Sequence, residues 1–405
     1  MSTRSRTMAA VGPLIASFLA LGVMSAEAMT YYVRQTGSDA NNGASATSAF
    51  HTISAAAHVM VAGDAVWIGA GTYSEQVNCV NSGNATSVIS YLGDTSGAQT
   101  GDGGSVIISN GGIPFNTNGC SYINVNGITT SGGSPGMSFD GVSSIAVRAC
   151  DISGANNGIN INNSAVTVTD SSVHNNSGQG VYICGSSNVA ITTSNFYSNT
   201  AYGIYAGVSG SPSVTVDRTK MYSNTSGGIS NTSGSVVARN CIIWGSWDGV
   251  DVWDGYSGYS GGNLTLQNCV VSESNDDCTW INAGRLTVVN TIGAFNHSYG
   301  INVWGGTCAD SYNAFWSNGY ATYNGTPGGI GDISANPLFT DEPGRDFHIG
   351  SSSPCVDSGT TISTVTVDFS NNARPAGSGY DMGAYETGSS TSQHGVRIKK
   401  WVEVQ

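Results

Sequence analysis

Ala165-Val166-Thr167-Val168 leads into Ser172-Val173-His174-Asn175-Asn176 and then Gly180-Val181-Tyr182-Ile183. The phrase returns as Val189-Ala190-Ile191, Phe196-Tyr197-Ser198-Asn199 and Gly203-Ile204-Tyr205. It returns again as Val214-Thr215-Val216, Met221-Tyr222-Ser223-Asn224 and Gly228-Ile229. The interval, roughly 22 to 27 residues, is one at which self-similarity signals a solenoid. Each lap holds three short strands; in the lap opening at Gly262 they are Leu264-Thr265-Leu266, Val270-Val271 and Trp280-Ile281. Alternation within a strand turns one side chain inward and the next outward. Parallel coils stacked ~4.8 Å apart place like residues above one another. Val166, Ile191, Val216, Leu264 and Val288 are expected in one interior column. Ile159, Val181, Ile204, Ile229, Val250 and Ile301 are expected in another.

The turns repeat too. Asn176, Asn199, Asn224 and Asn296 align, with Ser246 and Ser274 between them. Stacked Asn side chains can bond along the axis and satisfy turn backbone, so an internal ladder is expected there rather than a ligand site. Asn240, Asn268 and Asn290 form a second set. Cys150, Cys241 and Cys269 share a column with Ser171, Ser194, Thr219 and Thr291, which reads as a packed ladder of small residues. Of the nine cysteines, Cys278 with Cys308 and Cys79 with Cys120 are the candidate disulfides. No Cys/His spacing suggests zinc.

Only 10% of the 405 residues are charged and 56 are glycine, a composition suited to short strands and many turns. Residues 1–28 read as a secretory leader: Arg4 and Arg6, an apolar run from Val11 to Val23, and the small-x-small site Ala26-Glu27-Ala28. Its removal takes two arginines and one glutamate, moving the formal charge from -13 to -14. Such acidity disfavours nucleic acid as a partner. No later stretch approaches the ~20 apolar residues of a spanning helix. A secreted protein, extracellular or periplasmic and monomeric, is expected.

In chain order, Tyr31-Tyr32-Val33 opens the first strand, and Ile53, Ala56, Ala57 and Met60 fall at helical spacing. A short helix with one apolar face suits the open end of a solenoid. The stack is expected over residues 29–320. Dense Pro and Gly after Trp316 predict turns, and a C-terminal cap module over 321–386. Residues 387–405 read as a linker and tail.

The opening Tyr31-Tyr32-Val33, Gly37-Ser38-Asp39, Asn42-Gly43, Phe50-His51-Thr52-Ile53, Gly63-Asp64 and Gly71-Thr72-Tyr73 resembles that of secreted bacterial pectate-lyase-like proteins, including family-nine pectate lyases. The closing Asn336-Pro337-Leu338-Phe339, Asp346-Phe347, Ser353-Pro354, Asp357-Ser358-Gly359, Arg374-Pro375 and Asp381-Met382-Gly383-Ala384-Tyr385-Glu386 resembles the module that often follows such helices. The resemblance implies an all-β fold, a right-handed single-stranded parallel β-helix with a short N-terminal capping helix and a C-terminal cap. It implies no single activity.

Chemistry is expected where the repeat becomes irregular, from Ser235 to Gly306. Trp244, Trp247, Trp253, Tyr256, Tyr259, Tyr299 and His297 are the candidate substrate-binding residues, because rings suit the C–H faces of sugars. Asp248, Asp251, Asp276 and Asp277 are the candidate metal ligands, and Ca²⁺ the ion their oxygens would suit. Aligned laps bring Asp248 near Asp276, and Asp251 near Thr279 and Asn302. Asp248 and Asp276 could alternatively form an acid/base pair for glycoside cleavage. In the resembled lyases a Lys or Arg base works beside Ca²⁺. Lys220, the only lysine before the tail, would be that base, with Arg239 nearby. The acidic residues that should sit beside such a base lie one to two laps further on. The expected function is an exported polysaccharide-interacting protein, a polysaccharide lyase or glycosidase on plant or algal glycans, with a non-catalytic glycan- or surface-binding protein as the alternative.

Overall fold

The computed structural model describes residues 27–255 and 260–388. The expected leader, except residues 27 and 28, and the tail from residue 389 lie outside them. Among the described residues three parallel sheets of 12, 11 and 11 strands run along one stack, with a separate two-stranded hairpin. The first sheet runs from Thr30–Val33 to Thr307–Ser311, the second from Gly71–Tyr73 to Ala314–Trp316, the third from Val77–Asn78 to Ala321–Asn324. Each coil gives one short strand to each sheet, so every neighbour is one lap away in sequence and parallel. The fold is therefore an all-β parallel solenoid.

The interior follows from alternation. In Ala165–Thr169, Val166 and Val168 are buried while Thr167 is exposed. Register divides the first expected column in two. Val166 pairs with Val189, and Val168 with Ile191. Val166 and Leu264 thus stand in one column, and Ile191, Val216 and Val288 in the next. A five-residue strand buries two side chains, and a quoted triplet does not reveal which one it starts on. The third-sheet column contains Thr279 between Val250 and Ile301.

Corners are built from a pair of residues. Asn175, Ser198, Ser223, Glu273 and Phe295 have positive φ, which bends the chain sharply between the second and third sheets. The residues that follow, Asn176, Asn199, Asn224, Ser274 and Asn296, are buried. Asn199 Oδ1 accepts from Asn176 Nδ2 at 2.9 Å, and Asn199 Nδ2 donates to Asn224 Oδ1 at 2.9 Å. The left-handed residues cost about 1 kcal/mol each, and the ladder offsets that cost by pairing buried polar groups. The corner between the first and second sheets repeats the device. Asn240, Asn268 and Asn290 are its left-handed residues, and Cys241, Cys269 and Thr291 follow them. The Cys241 N–H donates to Cys269 Sγ at 3.4 Å and the Cys269 N–H to Thr291 Oγ1 at 3.4 Å. All nine cysteines are free thiols. Cys278 and Cys308 do not pair: the first precedes the third-sheet strand Thr279–Ile281, the second lies in the first-sheet strand Thr307–Ser311. Cys79 and Cys120 are buried and likewise unbonded.

The helix Ile53–Val59 is capped by Thr52, whose hydroxyl accepts from the Ala55 N–H. Its apolar face buries Ile53, Ala56 and Ala57 in the solenoid core. At the other end the stack passes residue 320: Ala321–Asn324 pairs with Tyr299–Val303, and Ile330 and Ile333 bridge to Ser311 and Ala314. The module beyond lies along the second sheet. Phe347, Ile349, Cys355, Met382 and Ala384 pack on the outward side chains of Ile242, Val270, Ile292, Ala294 and Ala314 as a second core. Those outward Ile and Val residues are the local reason it docks there. Asn268 Nδ2 donates to the Asp381 carbonyl at 3.0 Å and Asn290 Nδ2 to the Thr360 carbonyl at 2.7 Å. Asn268 and Asn290 thus join module to solenoid, while Asn240 Nδ2 donates to Asp217 Oδ1 within the solenoid at 3.1 Å.

Candidate functional site

The third sheet carries a groove at its C-terminal end. Asp248 opens the strand Asp248–Val252, Asp276 and Asp277 precede Thr279–Ile281, and Tyr299 opens Tyr299–Val303. Outward residues of successive strands line up as Asp251, Trp280, Asn302 and Asn324. The groove holds about 480 Å³ and is lined by Trp247, Asp248, Asp276, Asp277, Trp280, Ser298, Tyr299, Asn302, Trp304, Tyr320 and Asn324. Trp304 is 74% exposed and Tyr320 73%, so two rings stand open at its rim. No Lys or Arg lines it among the described residues.

Oxygens of Asp248, Asp276 and Asp277 lie within 4.8 Å of one another. Asp277 is the anchored member. It accepts from the Tyr299 N–H at 2.9 Å and from Asn302 Nδ2 at 2.6 Å, while Asn302 Oδ1 accepts from Asn324 Nδ2 at 2.8 Å. Its own N–H donates to Asp248 Oδ1 at 3.2 Å. Burial, then the charge of Asp251, pushes the Asp248 carboxyl up to about 8, with further contributions from Asp277 and Asp276. Burial also raises Asp277, against the bonds from Asn302, Tyr299 and Ser298. Three carboxyls this close fit one hard cation, since Ca²⁺ takes oxygens at ~2.3–2.6 Å and so gathers ligands a few ångströms apart.

Asp251 departs from the expected ligand set. It pairs with Trp280, one residue from the expected Thr279. It is 1% exposed, and burial pushes it up to about 7 against hydrogen bonds from Ser230 and Tyr202. It lies beneath neighbouring side chains, outside the converging trio.

The two expected basic catalytic residues are on other faces. Lys220 opens the second-sheet strand Lys220–Tyr222, with its Nζ 5.6 Å from the Phe369 ring of the module. Burial lowers its pKa and Asp346 opposes that shift. Arg239 ends the first-sheet strand Ser235–Arg239 and its Nε donates to Gln267 Oε1 at 3.0 Å. Trp244 is likewise on the second sheet, stacked on Tyr222 at 4.3 Å and beside Phe347. Sequence spacing counts laps, but the three sheets of a lap face three directions.

Of the expected substrate-binding residues, Trp247 and Tyr299 line the groove. His297 is exposed just before it, its ring 6.5 Å from Tyr320. Trp253 is half-buried and its Nε1 donates to Ser230 Oγ at 2.9 Å. Tyr256 and Tyr259 lie outside the described residues. Trp280, Ser298, Asn302, Trp304, Tyr320 and Asn324 line the groove outside the expected substrate-binding set. The signal for the last of these was its place one lap of 22 residues after Asn302, in a stretch read as already past the repeat.

The family model for the right handed beta helix region matches residues 64–214 and 157–316. The chain belongs to the right-handed β-helix family. No curated protein matches it by sequence. Among solved structures, this right-handed β-helix is similar to pectate lyase Pel9A, with a TM-score of 0.59 and 16% identity over 88% of this chain and 96% of that one. It is also similar to XylC in its complex with xylose, with a TM-score of 0.60 and 11% identity over 89% of this chain and 98% of that one. At such identities the likeness is one of fold.

Proposed function

We propose that this right-handed β-helix is an exported protein that binds a polysaccharide in the third-sheet groove, with Ca²⁺ held by Asp248, Asp276 and Asp277. The observation that carries it is the meeting of three carboxyls and five aromatic rings in one open groove. Exposed Trp and Tyr faces stack on sugar C–H surfaces, while Asn302, Asn324 and carboxylate oxygens receive or supply hydroxyl hydrogen bonds. A bound divalent cation would relieve the mutual repulsion of the trio and offer a coordination site to an acidic sugar. Export rests on the sequence of the leader. The solved neighbours, a pectate lyase and a protein complexed with xylose, agree with a glycan as ligand.

A lyase using Lys220 as base has no geometric support, because Lys220 stands on the second sheet under the module. Hydrolysis, the second reading, belongs to the cation-free groove and rests on the closeness of two of its carboxyls. Without a bound cation, burial and the charge of Asp251 push the Asp248 carboxyl up to about 8, and an oxygen of Asp276 lies within 4.8 Å of one of its own. That approaches the ~5–5.5 Å separation of retaining glycosidases. Asp248 would then hand a proton to the glycosidic oxygen while Asp276 meets the developing positive charge.

Retention on immobilised uronans and neutral glycans, with Ca²⁺ or chelator, tests the reading. Retention should weaken about tenfold in Trp304→Ala and in Asp276→Asn, about what losing one stacking platform or ligand entails. New reducing ends mark hydrolysis; unsaturated products mark a lyase. Absence of retention on every polysaccharide refutes the proposal.

A further inference from the structure

The last coil has a neighbour on one side only, and a carboxyl pair fastens it. Asp310 lies in the final first-sheet strand, Thr307–Ser311, and Asp332 in the segment that closes the stack. Both accept from the same amide: the Gly329 N–H is 2.8 Å from Asp310 Oδ2 and 3.0 Å from Asp332 Oδ2. Asp332 Oδ1 also accepts from the Asn313 N–H at 2.7 Å and from Asn313 Nδ2 at 3.2 Å. Its Oδ2 accepts from the Tyr323 hydroxyl at 2.5 Å. Asp332 therefore receives four hydrogen bonds, one of them from the amide it shares with Asp310. Two adjacent carboxylates cannot both ionise cheaply in a half-buried setting.

Tyr323 ties this pair to the groove. It belongs to Ala321–Asn324, the last third-sheet strand, and the next residue, Asn324, donates to Asn302, which holds Asp277. Tyr320 of the groove rim directly precedes that strand.

We propose that Asp310 and Asp332 share one proton and form a pH-sensitive clamp on the last coil, which regulates glycan binding by ordering the Tyr320–Asn324 wall of the groove. The regulatory half rests on the glycan-binding reading above; the clamp does not. Burial, then the hydrogen bond to Asp332 and its charge, pushes Asp310 up to about 7. The other groups facing the pair are Tyr323, Cys308, and Arg285 of the preceding coil beside Cys308. Burial raises Tyr323, and pushes Cys308 up to about 12, so neither titrates near neutrality. A raised carboxyl favours the closed coil in acid. The clamp is tightest near the ordinary carboxyl range of ~4, loosens as pH climbs towards about 7 and then levels off.

Hydrogen exchange of the full chain at pH 5 and pH 8, corrected for the intrinsic rate, tests the clamp. Opening of residues 321–333 should rise at least about tenfold from pH 5 to pH 8, one-proton linkage allowing ~tenfold per unit inside the window. In Asp310→Asn it should not change. A wild-type change under about twofold, or one that persists in the variant, overturns the clamp. If the variant does not fold, the wild-type comparison decides. Glycan retention at the two pH values tests regulation: it should weaken at pH 8 more in wild type than in Asp310→Asn. Equal weakening overturns regulation. Absence of retention at both values overturns the glycan-binding reading and the regulation built on it, while exchange still judges the clamp.

Discussion

Replacing Asp248 with asparagine should stabilise the protein at high pH while removing its cation affinity. The carboxyl is pushed up to about 8 by burial and by its acidic neighbours. Below pH ~4 the folded and unfolded chains both carry it protonated, and it has no pH-dependent effect on stability. As pH climbs towards 8 the unfolded chain ionises freely and the folded chain does not, so stability falls across that window. The shift of about four units corresponds to at most ~6 kcal/mol. Asp251 and Asp277 share the same repulsion, so on the order of 3 kcal/mol is expected for Asp248 alone. Asparagine preserves the acceptor for the Asp277 N–H. Urea unfolding in chelator at pH 4.5 and pH 9 measures this. The two proteins should lie within about 1 kcal/mol of each other at pH 4.5, and Asp248→Asn should be more stable by about 3 kcal/mol at pH 9. Added Ca²⁺ should then stabilise wild type and leave the variant unchanged. A variant less stable than wild type at pH 9 in chelator would refute the reasoning.

Lys220→Ala should leave glycan retention and any cleavage within about twofold of wild type, while lowering stability by ~1 kcal/mol through the lost contact with Phe369. A glycan assay abolished by this change would return Lys220 to the site. Asn199→Ala should cost about 3 kcal/mol in chemical denaturation, because it strips partners from Asn176, Asn224 and the Val173 carbonyl in a buried ladder.

Much of the scaffold was legible because a solenoid is read one lap at a time. The Asn and Cys/Ser/Thr ladders were visible as columns, and their buried bonds run from each lap to the next. The positive-φ residue before each ladder position was not visible as such, since Asn, Ser, Glu and Phe all fill it. The acidic trio was legible in part: Asp248, Asp276 and Asp277 converge, and Asp251 does not. A single residue of register separates pairing with Thr279 from pairing with Trp280.

The sequence alone determined the period, the alternation inside strands, the capping helix and the lap in which Trp and Asp replace Asn and Ser. Those depend on neighbours along the chain or one repeat away. Only the tertiary structure decided which sheet each side chain faces. Lys220, Arg239 and Asp248 lie within little more than one lap, yet stand on the second, first and third sheets. It also placed the C-terminal module along the second sheet rather than over the end of the stack, where apolar residues outside the core offered it surface to bury. The last coil is closed instead by the segment through Ile333, fastened by Asp310 and Asp332, and it carries one wall of the groove.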